Sequence, residues 1–500
     1  MGKKDKKKVK GRGAQKTSSK TEKKLSQKQK REMAARGEED IETILQKIME
    51  EEKKKTKVIV KTVGQPSIRS NFSLCAHPEK DMFILFGGEF FNAGKTYVYN
   101  DLYFYNLKKN EWVQIESPNS PPPRCAHQAC TVAQDGGQMW LFGGEFTSVS
   151  ETQFYHYKDL WILDLKATVW KKIHAPGAPS SRSGHRMVHL KKLLVVFGGF
   201  HDKLSDYKYF NDVHIFNLET YQWHKVEPSG TGPSPRSGHQ MCALPDGRIL
   251  IYGGYSKVKL KKDLDSGVTH TDMFLLIPDK HDEKMLKWRW CSLKSGGIPP
   301  SPRCGFTMTI APGPQSHVWL FGGVSDEESP DHEELSSCFH NDLYSLDINA
   351  HTWKPISVTK GKVGSKRKRR RRKQPKDGSD TGEDMEVEDG GDSDDGEEME
   401  TVHETEDGFT VRIGPSKDKE GSVEEVVANL NLGENGASSR DVIRPCPRMN
   451  PGMFIKHGIL YLYGGFYEDE KDRRITLGDL YTLGESARCQ SANPPVVLYS

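Results

Sequence analysis

Six glycine pairs divide most of this chain into units of similar size, and this repetition constrains the fold more than any other feature. The pairs begin at residues 87, 143, 198, 253, 322 and 464. The first four pairs recur about every 55 residues, which is the size of one supersecondary unit in a repeat protein. A unit this small cannot bury both of its faces alone, so the units are expected to pack against one another.

The stretch from Arg182 to Trp223 shows the pattern of one unit. It reads RSGHRMVHLKKLLVVFGGF, then a polar and aromatic loop, then FNDVHIFNLETYQW. Short apolar runs without a helical period predict a small antiparallel sheet. An Arg opens the first strand of each unit, at Arg69, Arg124, Arg182, Arg236, Arg303 and Arg448. An Asp precedes a later strand of each unit, at Asp101, Asp159, Asp212, Asp272, Asp342 and Asp479.

A Trp at a fixed offset completes the repeat in four units, at Trp112, Trp170, Trp223 and Trp353. Together, the glycine pair, this Trp and a length of about fifty residues resemble the kelch repeat. Six such units resemble a six-bladed kelch β-propeller, and the resemblance implies an all-β fold. It covers about residues 56–356 and 444–483, or roughly two-thirds of the chain.

The glycine pairs and the repeated Trp residues are predicted to be structural. Glycine adopts positive φ and permits close backbone approach without the steric cost of a Cβ atom. Trp can fill the space between two blades, where its loss should cost about 3–5 kcal/mol. The glycines in question are Gly87, Gly88, Gly143, Gly144, Gly198, Gly199, Gly253, Gly254, Gly322, Gly323, Gly464 and Gly465.

Opposite charges are segregated outside the repeats, although the formal net charge is only +4. Residues 1–30 contain 13 Lys or Arg, Lys366–Lys373 is entirely basic, and Asp377–Asp407 contains 16 acidic residues and no Lys or Arg. Such blocks repel themselves and are predicted to be disordered. The predicted organisation is a charged arm at 1–55, a closing strand with blades 1–5 at 56–356, a disordered insertion at 357–443, blade 6 at 444–483 and a tail at 484–500.

Two segments before blade 1 carry separate predictions. Ile41, Ile44, Leu45 and Ile48 have helical spacing and predict a short amphipathic helix that docks on the propeller or on a partner. Thr56–Val63 resembles the outer strand that precedes the Arg in other units. We predict that it completes the last blade, because a propeller that does not close leaves an edge strand exposed.

Several functional classes are disfavoured. The longest apolar runs contain about five residues, whereas crossing a bilayer needs roughly twenty, and the charged N-terminus does not resemble a secretory signal. The nine cysteines include no C-x-x-C pair, so packed, reduced thiols are expected instead of a zinc or redox motif. No P-loop, G-x-S-x-G or H-E-x-x-H motif occurs, and the chain is predicted not to be an enzyme.

Three histidines follow the Arg that opens the first strand, and they allow two interpretations. His127, His185 and His239 could ring the central channel and bind a metal ion, or they could pack between blades. Packing is the preferred interpretation, because adjacent blades are expected to hold the rings too far apart for metal bonds of about 2.0–2.1 Å. The sequence therefore predicts no metal and no cofactor.

The loops after the glycine pairs are the predicted binding surface. Aromatic side chains give a large contact area at a small cost in conformational entropy, which suits a polypeptide partner. Lysines in the fourth loop and acidic residues in the fifth add a charge gradient that can orient the partner. The predicted contact residues are Phe90, Phe91, Tyr97, Phe146, Phe154, Tyr155, Phe200, Tyr207, Tyr209 and Tyr255 in the loops, with Ser183 and Ser237 at the channel mouth.

Three functions remain open at this point. The first is a monomeric, non-catalytic scaffold for a protein partner, and the second is a substrate receptor of a cullin-RING ubiquitin ligase, a role that many kelch proteins have. The third is a ribonucleoprotein-associated factor with non-specific RNA contacts through its basic segments. A basic run is typical of nuclear or nucleolar import signals, so the nucleus is favoured over the cytoplasm. That run consists of Lys366, Arg367, Lys368, Arg369, Arg370, Arg371, Arg372 and Lys373.

Overall fold

The repeated strands fold as six antiparallel sheets arranged as blades around one axis, as the sequence predicts. The computed structural model describes residues 38–203, 206–261, 264–311, 317–328, 335–359, 401–404, 410–413, 444–469, 471 and 473–483. These residues contain one α-helix, α1 (Ile41–Lys54), and otherwise mostly strands. No helix among them is long and apolar enough to cross a membrane.

Blades 1 to 3 share one plan, in which a two-stranded hairpin is inserted between the two middle strands of a blade. Blade 1 contains β1 (Ile59–Val63), β2 (Ser73–Ala76), β3 (Met82–Phe86), the hairpin β4 (Glu89–Asn92) and β5 (Lys95–Val98), β6 (Leu102–Asn106) and β7 (Glu111–Glu116). Blade 2 contains β8 (Gln128–Val132), β9 (Gln138–Phe142), the hairpin β10 (Glu145–Thr147) and β11 (Phe154–His156), β12 (Leu160–Asp164) and β13 (Val169–Ile173). Blade 3 contains β14 (Arg186–Leu190), β15 (Leu193–Phe197), the hairpin β16 (Phe200–Lys203) and β17 (Asp206–Tyr209), β18 (Val213–Asn217) and β19 (Gln222–Val226).

Blades 4 to 6 follow the same plan, with additions to blade 5. Blade 4 contains β20 (Gln240–Ala243), β21 (Ile249–Tyr252), the hairpin β22 (Tyr255–Lys261) and β23 (Leu264–Thr269), β24 (Met273–Pro278) and β25 (Trp288–Leu293). Blade 5 contains β26 (Gly296–Gly297), β27 (Thr307–Ile310), β28 (His317–Phe321), the hairpin β29 (Val324–Glu328) and β30 (Leu335–Phe339), β31 (Leu343–Asp347), β32 (Thr352–Thr359), β33 (Thr401–Glu404) and β34 (Thr410–Ile413). Blade 6 contains β35 (Gly452–Lys456), β36 (Ile459–Tyr463), the hairpin β37 (Phe466–Glu468) and β38 (Arg474–Thr476), and β39 (Leu480–Leu483).

The ring closes through contacts between blade 6 and blade 1. The innermost strands contact one another in order around the axis, and β35 of blade 6 contacts β2 of blade 1. An apolar cluster fills this junction, in which Phe83 and Trp112 of blade 1 pack with Phe454 and Tyr461 of blade 6. Comparable clusters lie between the other neighbouring blades. Each blade thus buries its faces against its two neighbours.

The outer-strand tryptophans occupy these interfaces, as predicted. Each Trp packs against the aromatic residue that precedes the glycine pair of the preceding blade. The ring centroids lie 5.0 Å apart for Trp170 and Phe86, and 5.1 Å apart for Trp353 and Tyr252. Trp290 makes the same contact with Phe197 at 5.4 Å. The repeat pattern did not identify this residue, because it does not lie at the fixed offset of the other four Trp residues.

The N-terminal strand differs from the prediction. Strand β1 pairs antiparallel with β7, from Ile59 opposite Glu116 to Val63 opposite Trp112, so it adds a fifth strand to blade 1 and does not complete blade 6. The physical reason is that β7 has an open outer edge, and pairing it satisfies backbone groups that would otherwise face solvent. Within the described residues, the main sheet of blade 6 has three strands.

The prediction of a wholly disordered insertion at 357–443 is also wrong in part. Strand β32 continues to Thr359 and pairs with β34, which pairs in turn with β33. Thr and Val are enriched in both added strands, and β-branched residues favour extended backbone. The predictions for the N-terminal arm up to residue 37, the basic run Lys366–Lys373, most of the acidic block and the tail at 484–500 fall outside the described residues.

The glycine pairs have positive φ at both positions in all six units, which supports their predicted structural role. At Gly144 a Cβ would lie 2.6 Å from Cβ of His127 and 2.7 Å from the carbonyl oxygen of Cys125. Gly247 also has positive φ, yet a Cβ there would have no neighbour within 4 Å.

These two glycines provide a matched test. We expect Gly144→Ala to lower the free energy of unfolding by about 3 kcal/mol or more, because backbone strain and a clash with main-chain atoms add together. Gly247→Ala should lower the free energy of unfolding by only about 1 kcal/mol, because it introduces backbone strain at positive φ but no clash. Equal losses of stability for the two variants in chemical denaturation would contradict the assigned close approach.

Candidate functional site

The six hairpins rise from one end of the axis, and each is joined there to the innermost strand of its own blade. The residue after the Arg forms a β-bridge with the residue after the glycine pair, as Ser183 does with Phe200 and Ser237 with Tyr255. Equivalent bridges occur in the other four blades. The aromatic loops predicted from the sequence are therefore ordered hairpins whose bases surround the axis, and we call this surface the hairpin face.

An ion pair between a buried Arg and an Asp holds the base of each hairpin. In blade 2, Arg124 donates hydrogen bonds to the carbonyl oxygen of Gly143 at 3.1 Å and to both carboxylate oxygens of Asp159 at 2.8 and 3.2 Å. The same ion pair occurs in all six blades, with N–O distances from 2.5 to 3.2 Å. Burial would raise the pKa of Asp159, but the Arg124 guanidinium outweighs that effect and keeps this pKa below its usual range.

The axis is narrow below the hairpins. Ala126 donates its backbone N–H to the carbonyl of Asn71, Gly184 donates to Ala126, and Gly238 donates to Gly184, with N–O distances of 2.8 to 3.0 Å. These residues have positive φ, and each belongs to a different blade. Neighbouring blades therefore touch through their main chains at this level.

The mouth of the axis is chemically asymmetric. The residue that follows the glycine pair is Glu89 in blade 1 and Glu145 in blade 2. At the same position, blades 3 to 6 have apolar or aromatic residues, which are Phe200, Tyr255, Val324 and Phe466. The mouth therefore has carboxylates in blades 1 and 2 and apolar or aromatic side chains in blades 3 to 6.

Glu145 is the centre of a hydrogen-bonded cluster between blades 2 and 3. The Ser183 hydroxyl donates to its Oε2 atom at 2.8 Å, and Nδ1 of His156 lies 3.4 Å from the same oxygen. The backbone N–H of Asp202 donates to Nε2 of His156 at 3.1 Å. Burial raises the pKa of Glu145 to about 7 and lowers the pKa of His156 to about 4. At neutral pH the cluster thus contains a neutral imidazole beside a carboxyl group that is about half ionised.

Aromatic rings of the blade 3 hairpin lie beside this cluster. The rings of Phe200 and Tyr209 are 5.9 Å apart, and those of Tyr207 and Tyr209 are 5.8 Å apart. The Lys259 ammonium of the blade 4 hairpin lies 5.4 Å from the centre of the Tyr207 ring. The hairpins of blades 3 and 4 therefore contact each other through a cation–π pair.

Comparisons with known proteins agree with this architecture. Residues 69–276 match the family model described as the FBX42 β-propeller domain. The chain is 26% identical to kelch domain-containing protein 2 of Bos taurus over 279 residues, which are 51% of this chain and 62% of that protein. The domain is a kelch-type β-propeller. These matches confirm the resemblance of the repeats to the kelch repeat.

Two plant relatives and one solved structure are also similar. Adagio-like protein 3 of Oryza sativa subsp. japonica is 29% identical over 245 residues, which are 48% of this chain and 33% of that protein. Adagio-like protein 1 of the same organism is 32% identical over 227 residues, which are 44% of this chain and 31% of that protein. The chain spans less than two thirds of the length of each of these relatives. The solved structure of YjhT aligns with a TM-score of 0.46 at 14% identity, over 84% of this chain and 96% of YjhT.

The kelch propeller presents most of the predicted contact residues on its hairpin face. Tyr97, Phe154 and Tyr155 are exposed. Phe90, Phe91, Phe200, Tyr207, Tyr209 and Tyr255 are partly buried. Three predictions are wrong as accessible contacts, since Phe146, Ser183 and Ser237 are buried. Phe146 packs under α1 together with Tyr157, while the two serines are enclosed by the bridges at the base of their hairpins.

The three histidines pack between blades, which agrees with the preferred interpretation. His185 lies edge-on to Phe142 of the preceding blade at 5.2 Å, and His239 lies against Phe197 at 5.1 Å. Nε2 of His127 is 3.0 Å from the Ser73 hydroxyl oxygen. Within the described residues, no group of three His, Cys, Asp or Glu side chains is placed to hold a metal ion, and the eight described cysteines are free thiols.

One contributor to the mouth was not found from the sequence. Arg474 of the blade 6 hairpin donates to the Ser70 hydroxyl at 2.7 Å and to Oε1 of Glu89 at 3.0 Å. Its guanidinium also lies 4.0 Å from the centre of the Phe466 ring. Arg474 therefore joins blade 6 to blade 1 above the ring closure. Arg474 is not one of the residues that recur in every unit, so the repeat pattern did not identify it.

Proposed function

We propose that this chain is a non-catalytic scaffold that binds a polypeptide partner on the hairpin face of its kelch propeller. The observation that carries this proposal is the exposure of large apolar side chains on ordered hairpins. The exposed fractions are 43% for Tyr97, 47% for Phe154, 38% for Tyr155 and 47% for Val258. Exposed aromatic residues on a fixed backbone bind with little loss of conformational entropy, and such residues dominate the binding energy of protein interfaces.

Charge on the same face supports a directional interaction. Lys257 and Lys259 are exposed on the hairpin of blade 4, and Asp326 is exposed on the hairpin of blade 5. Opposite charges at neighbouring positions favour one orientation of a partner and raise its association rate. An extended peptide that is apolar at its centre and charged at its ends fits this arrangement.

Proximity labelling of the full chain in cells tests the proposal. The variant Tyr97→Ala/Phe154→Ala/Val258→Ala removes exposed apolar groups from the face, and we expect labelling of direct partners to fall about tenfold or more. The control Val60→Ala/Ile298→Ala removes exposed aliphatic groups outside the hairpins and should keep those partners. The melting temperature of each variant should stay within about 3 °C of the parent, since surface truncations rarely destabilise. Identical partner sets for the two variants would refute the assigned surface.

A second candidate function is a substrate receptor of a cullin-RING ubiquitin ligase, which would use the same face for its substrate. The match of residues 69–276 to the FBX42 propeller model favours it. In the labelling experiment this function predicts that a cullin is recovered with both variants, because the ligase would bind elsewhere. The GGEF sequences that begin at Gly87 and Gly143 and the basic N-terminus further lead us to propose that the chain resembles kelch domain-containing protein 4.

A further inference from the structure

Helix α1 lies on the propeller, across the outer sides of the hairpins of blades 1 and 2. Ile41 and Leu45 are buried against Phe146 and Tyr157 of blade 2. Ile44 and Ile48 of the helix and Val98 of blade 1 surround this contact. Of the two docking sites that the sequence allowed for the helix, the structure shows the propeller. We call the apolar depression under α1, formed by Val98, Phe146 and Tyr157, the helix groove.

The groove holds the start of the helix through its main chain. Oε1 of Gln153 accepts the backbone N–H of Ile41 at 3.0 Å, and Nε2 of Gln153 donates to the carbonyl oxygen of Glu39 at 3.0 Å. Every helix has unpaired N–H groups at its start, so these two bonds do not require the sequence of α1. The groove is therefore suited to helices in general that have aliphatic residues at the right spacing.

The end of the helix is held less well. The Glu52 carboxylate is buried beside blade 1, where its Oε1 accepts bonds from Asn100 at 3.1 Å and Lys55 at 2.8 Å. Its Oε2 atom is buried with no hydrogen-bond partner among the described residues. A buried carboxylate oxygen without a partner opposes docking. Since a helix of 14 residues is also marginal by itself in water, α1 is bound by a small number of favourable contacts.

We propose that the helix groove is a docking site for an amphipathic helix of a partner protein, and that α1 occupies it as an exchangeable internal ligand. The partner helix would have aliphatic residues at positions i, i+3, i+4 and i+7, the spacing of Ile41, Ile44, Leu45 and Ile48. Binding of α1 and of the partner is mutually exclusive, because both need the surface of Phe146 and Tyr157. The inference rests on the proposed role in protein binding, but the groove is formed by residues other than Tyr97, Phe154 and Val258.

The test uses the full chain and a fluorescent synthetic peptide of residues 38–55 as the probe. In the variant Ile41→Asp/Leu45→Asp, α1 should leave the groove, and the peptide should bind saturably. The parent chain should bind it at least about tenfold more weakly, because a tethered competitor acts at an effective concentration near the millimolar range. The control Thr43→Asp/Gln46→Asp adds the same charge to the exposed side of α1 and should behave like the parent.

Two further measurements assign the binding to the groove. Replacing Gln153 by Ala in the Ile41→Asp/Leu45→Asp background should weaken peptide binding, and bound peptide should restore hydrogen-exchange protection to β10 and β11. The Val258→Ala substitution, which lies on the hairpin of blade 4 and is outside the cluster formed with α1, should leave peptide affinity within about twofold, since additive effects are expected for separate sites. Failure of the hairpin-face experiment and failure of this one can therefore be told apart.

Three outcomes would overturn the inference. The first is equal affinity of the peptide for the parent and for the Ile41→Asp/Leu45→Asp variant, and the second is no binding to either. The third is loss of cooperative unfolding in that variant while Thr43→Asp/Gln46→Asp remains folded. This last result would make α1 an integral part of the propeller and not an exchangeable ligand.

Discussion

Acidification from pH 7.5 to 5.5 is expected to lower the free energy of unfolding, and three histidines that are buried as neutral rings between blades should contribute about 4 kcal/mol to this loss. Burial lowers the pKa of His127 to about 3 and holds the pKa values of His185 and His239 well below the ordinary 6.5. Their stabilising contribution is complete above pH 6.5, where the unfolded chain is also neutral. It is lost as the pH falls, because only the unfolded chain takes up the protons.

The buried carboxyl of Glu145 acts in the opposite sense. Its pKa is raised to about 7, so the folded state binds a proton between about pH 7 and 4.5 while the unfolded state does not. Each group contributes at most about 1.4 kcal/mol per pH unit. One carboxyl therefore cannot cancel three histidines, and the net slope keeps its sign.

The chain itself suggests the variant that isolates the histidines. Phe306 occupies the equivalent place against Gly253, so a phenyl ring fits this kind of interface. Replacing His127, His185 and His239 together by Phe should reduce the loss of stability between pH 7.5 and 5.5 by about 4 kcal/mol, whereas replacing the exposed His281 by Phe should leave the slope unchanged. Urea denaturation at the two pH values measures both slopes. A triple variant that keeps the slope of the parent would show that other groups cause the acid sensitivity.

Asp159→Ala is expected to lower the free energy of unfolding by about 3–5 kcal/mol, since it leaves the Arg124 guanidinium buried without its countercharge. The Arg124 side chain is 0% exposed and that of Asp159 is 11% exposed, so water cannot replace the carboxylate. Glu227→Ala breaks the exposed pair with Lys225 and should cost less than about 1 kcal/mol. Chemical denaturation at pH 7.5 compares the two variants.

A double variant separates the lost charge from the lost packing. Arg124→Met/Asp159→Leu removes both charges, so it should regain part of the stability that Asp159→Ala loses. Recovery should be incomplete, because Arg124 also donates to the carbonyl oxygens of Pro122 and Gly143. If Asp159→Ala were no more harmful than Glu227→Ala, the buried pairs would not hold the hairpin bases as described.

The blades could be predicted from sequence because their determinants are local and repeated. A glycine pair at positive φ recurs in all six units, and a Trp at a fixed offset, which packs between blades, recurs in four of them. Trp290 escaped the pattern because the turn from Pro278 to Trp288 is longer than in other blades, which moves this Trp along the chain. Its packing against Phe197 depends on three-dimensional position and not on that offset.

The site was less predictable, because it depends on contacts between units. The aromatic content of the hairpins is visible in the sequence, but the cover of α1 over Phe146 is a contact between segments about 100 residues apart. The pairing of β1 with β7 was missed for a related reason, since strand propensity does not reveal which sheet edge is open. Arg474 likewise gains its role only when blade 6 reaches blade 1.

The ring closure has a consequence for synthesis on the ribosome. The side chain of Gln65 donates a hydrogen bond to the carbonyl oxygen of Gly478, which is 413 positions later. At about 5–20 residues per second, these partners emerge roughly 20 to 80 s apart. During that delay Phe83 and Trp112 have no blade 6 to pack against, so the nascent chain displays an aromatic surface that chaperones can bind. Folding of the first blade is therefore complete only after blade 6 has been synthesised.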